Sequence, residues 1–353
     1  MPNCLTMDEI QEDLGSSPEQ FPHGFNVRDD SVAFVRLTRA DYEAASFLDA
    51  RILTPGRASV NLPWPQVAAA IDASRLAEAC DYIFHIGHVG STLLSRLIGA
   101  HRGAFALREP AVLRTFAQLG DRLDAEPRAR RDADFEERLG GCLKLLSRTF
   151  DAQQIAVIKA TSFVSELAAG LLSRPSSPKA LIMFVSPESY IATILGGPNS
   201  RQEAKVLAPG RLRRLHRRLG SEIWRFEQLS EGEILALAWA CEMTALAQAA
   251  NAGGARVLRL DFDRFLAEPV LLVTVLQHFG IDASLSEVHA ILRGPHLRRY
   301  SKAPEHAYDA ALRRDVLNEA RAVYGEEIRR GLAWLDRAAA QFAAVRAAML
   351  FAA

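Results

Sequence analysis

The chain has few cysteines: four in 353 residues, Cys4, Cys80, Cys142 and Cys241. They form no C-x-x-C pair and no metal-ligand spacing, which excludes a disulfide scaffold and a zinc module. Three of them sit in apolar segments, as reduced core residues of a cytosolic protein do. The chain also lacks net charge, with 42 basic against 42 acidic residues. No global field then draws it to nucleic acid or to a membrane surface, and any anion site must be local. No apolar run reaches the length needed to span a bilayer. The first residues, MPNCLTMDEIQEDLG, are acidic where a secretory leader is basic and then apolar, so the expected location is the cytoplasm. Neither G-x-x-x-x-G-K-[ST] nor G-x-G-x-x-G occurs, which excludes the ordinary ATP loop and the dinucleotide fingerprint. There are no repeats. What is there is an ordinary globular composition, 49% hydrophobic and 24% charged, long enough for one large domain with appendages.

One stretch stands out, Tyr82–Ile98, YIFHIGHVGSTLLSRLI. Tyr82, Ile83, Phe84 and Ile86 make the short apolar run of a buried parallel strand. Gly87 and Gly90 bracket a turn, and glycine there allows left-handed backbone or close approach of N–H groups to a bound group. Ser91 and Thr92 open a helix whose core face is Leu93, Leu94, Leu97 and Ile98. A glycine turn feeding a helix N-terminus gathers free N–H groups and the positive dipole end at one place, which suits a phosphate.

The remaining chain alternates strand and helix. Strands are predicted at 82, 104, 155, 180 and 256, separated by helical stretches, with a long apolar helix at 234–251. This order predicts a mostly parallel five-stranded sheet with helices on both faces. Ligands in such folds bind at the carboxyl ends of the strands. The polar residues that follow the strands are therefore the informative ones: His88, Arg108-Glu109, Lys159, Ser186 and Asp261. Residues 1–80 read as an N-terminal extension packed on the main domain, with a strand at 32–37 and helices at 41–48 and 66–79. Residues 81–305 read as the main domain and 306–353 as a C-terminal helical segment. Residues 201–219 read as a basic helix, or two helices broken at Pro209-Gly210, with most of 211–218 a solvated face. Trp239 reads as packing, and Glu242, alone among apolar neighbours, as facing a polar partner.

Taken together, these residues resemble the sulfotransferase family, a branch of the P-loop proteins. Its donor loop, G-x-x-[RK]-S-G-T-T-L-L, is matched loosely by Gly87-His88-Val89-Gly90-Ser91-Thr92-Leu93-Leu94, with one residue fewer at the front. The motif Arg108-Glu109-Pro110, the strand VIKATS (157–162) and the run VLRLDFDRFLAEP (257–269) followed by HFG (278–280) resemble later family motifs in the same order. The resemblance implies a P-loop-type three-layer α/β sandwich over roughly 82–302, with helical N- and C-terminal extensions. It also implies 3′-phosphoadenylyl sulfate as donor, a hydroxyl or amine acceptor, and no metal. Donor contacts would be Gly87, Val89, Gly90, Ser91, Thr92 and Leu93. The family's strand-end arginine falls here on Val185 and its helix serine on Thr193. Arg299 and Lys302 are then offered as additional cations for the donor, with Arg201, Arg211, Arg213 and Arg214 as another source.

Sulfuryl transfer resembles phosphoryl transfer, with charge spread over the transferring group and the leaving oxygen. It needs a phosphate cradle, a cation at the bridging oxygen and a base on the acceptor. His88 is the candidate cation, which makes activity fall as pH rises through the histidine range. Glu109 is the candidate base, weighed against a helix-capping role. Lys159 is the candidate neutralising charge. Two competing readings are a kinase-like phosphotransferase using ATP with magnesium and a nucleotide-binding module without catalysis. The acceptor has no signature in the sequence.

Overall fold

The computed structural model describes residues 14–57, 59–125, 133–298 and 309–353. Two sheets organise it. The first is a three-stranded antiparallel sheet near the N-terminus, β1 (Gln20–Asn26), β2 (Ser31–Arg36) and β3 (Val60–Pro63), in that order. The second is the central sheet: β4 (Cys80–His85), β5 (Ala104–Arg108), β6 (Ile155–Lys159), β7 (Ala180–Phe184) and β8 (Val257–Asp261). Its order is β5-β6-β4-β7-β8 and all its pairs are parallel. The expected five-stranded α/β sheet is present, and it is wholly parallel among the described residues. The strands β4 to β7 are buried almost throughout, from Tyr82–His85 to Ala180–Phe184, which is why they read as unbroken apolar runs; in the edge strand β8 only Leu260 is buried.

Helices cover both faces of this sheet. The loop helix, Ser91–Gly99, packs beside β5 and on Leu272–His278. The long helix Glu231–Gly253 lies against β4 and β7 and is in turn covered by Pro187–Leu195, Pro198–Leu219 and Ala310–Gln341. Its residues from Ile234 to Leu246 are all buried; a helix apolar all round needs neighbours all round. The helix 201–219, open to two readings in the sequence, runs as one piece through Pro209. No described helix is long and apolar enough to cross a membrane.

The antiparallel sheet was legible only in β2. It packs through β1 on the helices Ala111–Ala125 and Ala133–Leu146, where Phe25 stacks on Phe116 with ring centres 5.3 Å apart. Two buried arginines fasten the segment by backbone carbonyls. Arg148 donates to Leu14, Ser17 and Gln20. Arg108, at the end of β5, donates to Tyr42, Glu43 and Ala45. Arg108 Nε and Nη2 are thus spent on structure.

Candidate functional site

The carboxyl end of β4 opens into the glycine turn. Gly87 has φ +87°, His88 +55° and Gly90 +63°. Histidine tolerates the left-handed region better than most side chains, and glycine adopts it freely. A Cβ on Gly90 would overlap the ring of Phe262, so this residue is confined by sterics as well as by φ. Gly90 caps the loop helix, its carbonyl accepting from the Leu94 N–H at 3.1 Å. In the first turn, Thr92 Oγ1 is buried and has no hydrogen-bond partner among the described residues. The turn therefore presents a left-handed cradle, a helix N-terminus and an unspent hydroxyl, a donor set that fits a phosphate.

The turn forms part of the wall of a cavity of about 470 Å³. Of the residues singled out in the sequence, Gly87, His88, Val89, Gly90, Ser91, Thr92, Leu93, Glu109 and Thr193 all line it. Lys159 does not line it but is fully buried immediately behind, its Nζ donating to Glu109 Oε1. Arg299 and Lys302 lie outside the described residues.

Glu109 and Lys159 meet because β5 and β6 are parallel neighbours that end together. Arg108 pairs with Lys159 in register, and the Glu109 N–H donates to the Lys159 carbonyl at 2.7 Å. Glu109 itself is left-handed, φ +53°, which turns it out of the strand. The following helix starts at Ala111. Glu109 Oε2 has no hydrogen-bond partner among the described residues. His85 is buried between two of these parts. Its Nδ1 accepts from the Gly87 N–H at 3.0 Å, and its Nε2 stands 3.9 Å from Glu109 Oε1. A histidine accepting at Nδ1 carries its proton on Nε2 when neutral, and at 3.9 Å that nitrogen stands near the carboxylate without a hydrogen bond to it. His88 faces the other way, its Nε2 3.9 Å from Glu203 Oε2 on the Pro198–Leu219 helix.

Two of the positions compared with the family lie at the β7 end. Val185 is fully buried, and its carbonyl accepts from Trp239 Nε1 at 3.1 Å, so this position belongs to the core. Thr193 lines the cavity, but its hydroxyl donates to the Ser189 carbonyl at 2.6 Å. It has acceptor capacity left and no free proton for an anion.

The basic helix is also not the solvated face it resembled. Arg211 and Arg214 are each only 5% exposed. Arg211 Nε and Arg214 Nη2 donate to Glu242 at 2.9 and 3.2 Å, and Ser165 donates to the same carboxylate. Burial works against the Glu242 charge, but Arg214, Arg211 and Ser165 outweigh it and hold its carboxyl below the usual range. Arg201 is committed to Glu231. Burial pushes the Tyr190 phenol up to about 12, against the Arg211 guanidinium.

Several cavity residues escaped the sequence reading: Phe47 and Arg51 from the N-terminal segment, Tyr190, Phe163 and Arg313. Arg313 comes from the C-terminal helix, is buried, and donates to Asp263 at 2.6 Å. No local pattern marks any of these. Arg211, offered in the sequence as one of several cations for the donor, does line the cavity, and Glu242 alone in an apolar helix demands a cation.

No family model matches the chain, and no curated protein matches it. Solved structures do resemble it. A sulfotransferase domain from the curacin biosynthetic pathway is 14% identical, over 73% of this chain and 97% of that one, with a TM-score of 0.37. A sulfotransferase from Alicyclobacillus acidocaldarius is 15% identical, over 73% and 95%, with a TM-score of 0.35. A sulfotransferase from Mycobacterium avium is 13% identical, over 92% and 97%, with a TM-score of 0.37. At such identities and TM-scores these likenesses assign no role to any residue.

Proposed function

We propose that this chain is a sulfotransferase-like enzyme that moves a sulfuryl group from 3′-phosphoadenylyl sulfate to a hydroxyl or amine acceptor. The observation that carries the reading is the meeting, in one cavity at the strand ends, of the left-handed glycine turn and the Glu109 carboxylate backed by buried Lys159. The turn amides, Ser91 and Thr92 would hold the donor's 5′-phosphate. Glu109 Oε2 would take the proton from the acceptor as it attacks sulfur in line, while Lys159 offsets the charge around Glu109. His88 would stand at the bridging oxygen and stabilise the charge that develops as the S–O bond breaks. His85 would keep the loop and the base in register.

The test is a thermal-stability titration with adenosine 3′,5′-bisphosphate and, separately, with ATP plus magnesium. At about 100 Kd a ligand adds roughly 2.7 kcal/mol, a clear shift in Tm. A rise with the bisphosphate is expected. Its absence, with a rise under ATP and magnesium, would turn the reading to a phosphotransferase; no rise with either would remove the nucleotide site.

A further inference from the structure

Behind the loop lies a buried ionic cluster whose charges do not balance. Three guanidiniums, Arg211, Arg214 and Arg218, face two carboxylates, Glu166 and Glu242. Arg214 spends Nη1 and Nη2 on Glu166 and Glu242. Arg218 spends Nη1 on the Cys241 carbonyl and the Thr244 hydroxyl, and Nη2 on Glu166. Arg211 spends only Nε, on Glu242. Both of its Nη groups, and the hydroxyl of neighbouring Tyr190, make no hydrogen bond among the described residues. Both residues line the cavity although they are 5% and 1% exposed. A buried positive excess is costly unless an anion completes it. A planar fork with two idle donors beside a phenol O–H is shaped for an oxyanion.

We infer that Arg211 and Tyr190 form an oxyanion subsite in the cavity, apart from the glycine turn, that takes a second anionic group of the bound molecules. That group is either a phosphate of the nucleotide or an acidic group of the acceptor. The inference rests on the proposed function only in taking the turn as the first anion site. Val185 leaves the strand end without a cation and Thr193 has no proton to give, so this pair is what the β7 side of the cavity offers an anion.

The test uses the full chain in buffer free of phosphate and sulfate. Wild type and Arg211→Gln are titrated calorimetrically with adenosine 3′,5′-bisphosphate, with adenosine 5′-monophosphate, and with inorganic phosphate in the presence of saturating monophosphate. A nucleotide source predicts that the substitution weakens bisphosphate binding about 30-fold and leaves the monophosphate within about threefold. An acceptor source predicts that wild type binds both nucleotides alike, and that inorganic phosphate binds beside the monophosphate in wild type and not in the variant. If Arg211→Gln changes neither bisphosphate nor phosphate binding, the inference is overturned. Should wild type bind no nucleotide, the proposed function fails, and phosphate alone, weakened or not by the substitution, still decides the subsite. Tyr190→Phe keeps the buried ring and removes one donor; about three- to tenfold weaker binding of the same ligand is expected. If Arg211→Gln does not fold, unchanged binding by Tyr190→Phe overturns the inference.

Discussion

Glu109 combines three features that a bystander carboxylate does not need together. It holds a left-handed backbone, its Oε1 takes a buried ammonium, and its other oxygen is left to the cavity. Non-glycine residues in the left-handed region are uncommon and persist where their surroundings impose them. Here the imposing bond is the 2.7 Å hydrogen bond from the Glu109 N–H to the Lys159 carbonyl. Glu109→Gln keeps size and most hydrogen bonding and removes the base. Turnover is expected to fall about 10²–10⁴-fold, with adenosine 3′,5′-bisphosphate affinity, read by calorimetry, within about threefold of wild type. Turnover within tenfold of wild type would take Glu109 out of the chemistry.

A second residue reports on stability alone. Asp81 lies in β4, away from the cavity, and burial raises its carboxyl to about 6, against the opposing hydrogen bond from the Lys179 N–H at 2.7 Å. The unfolded chain ionises near 3.8. Between those values the folded protein binds more protons than the unfolded one, so stability falls as pH rises from 4 to 6, by at most about 3 kcal/mol. Asp81→Asn keeps the acceptor and removes the charge. It is expected to stabilise the protein by about 1–3 kcal/mol at pH 8 in urea unfolding, with the gain vanishing towards pH 4. An equal gain at both pH values would show that ionisation of Asp81 is not the cause.

At the scale of elements, the strands β4 to β7 were legible because burial on both faces leaves short apolar runs, and the glycine turn because φ and sterics admit few residues there. The antiparallel sheet was not. β1 carries Pro22, His23 and Gly24, with a register shift between Pro22 and Gly24, and β3 is four residues long, so neither shows a clean alternation. The basic helix misled for another reason: its arginines find Glu166 and Glu242, residues tens of positions away, and such partners have no local trace. Pro209 also failed as a break. It removes the hydrogen bond to the Lys205 carbonyl, yet the helix continues, held by buried Ala204, Ala208, Arg211 and Leu212 on either side. Since tertiary contacts already impose the helix, restoring the N–H should stabilise it. Pro209→Ala is expected to add about 1–2 kcal/mol, less whatever proline saves in the unfolded chain, measured as a higher urea midpoint at unchanged slope. A loss of stability would mean that the proline ring is itself needed there.

At the scale of the whole molecule, the cavity joins parts of the chain that are far apart in sequence. Phe47 and Arg51 come from the N-terminal segment, the turn and Glu109 from the strand ends, Arg211 from the basic helix and Arg313 from the start of Ala310–Gln341. That convergence was beyond the sequence, which gave strand ends but no way to bring 47, 211 and 313 to one place. It has a consequence for ligand binding. At the cavity wall Arg51 donates to Asp49 beside it, and Arg313 donates to Asp263 at 2.6 Å. A ligand that spans the cavity adds contacts to all of those segments at once, and local opening of each segment then requires its release. Saturating adenosine 3′,5′-bisphosphate is therefore expected to slow amide hydrogen exchange in three separate stretches, 87–95, 47–53 and 309–317, by about tenfold or more. Exchange in β1 and β2, remote from the cavity, should stay within about twofold. Protection confined to 87–95 would mean that the bound nucleotide touches the glycine turn alone and that the N- and C-terminal segments serve another purpose.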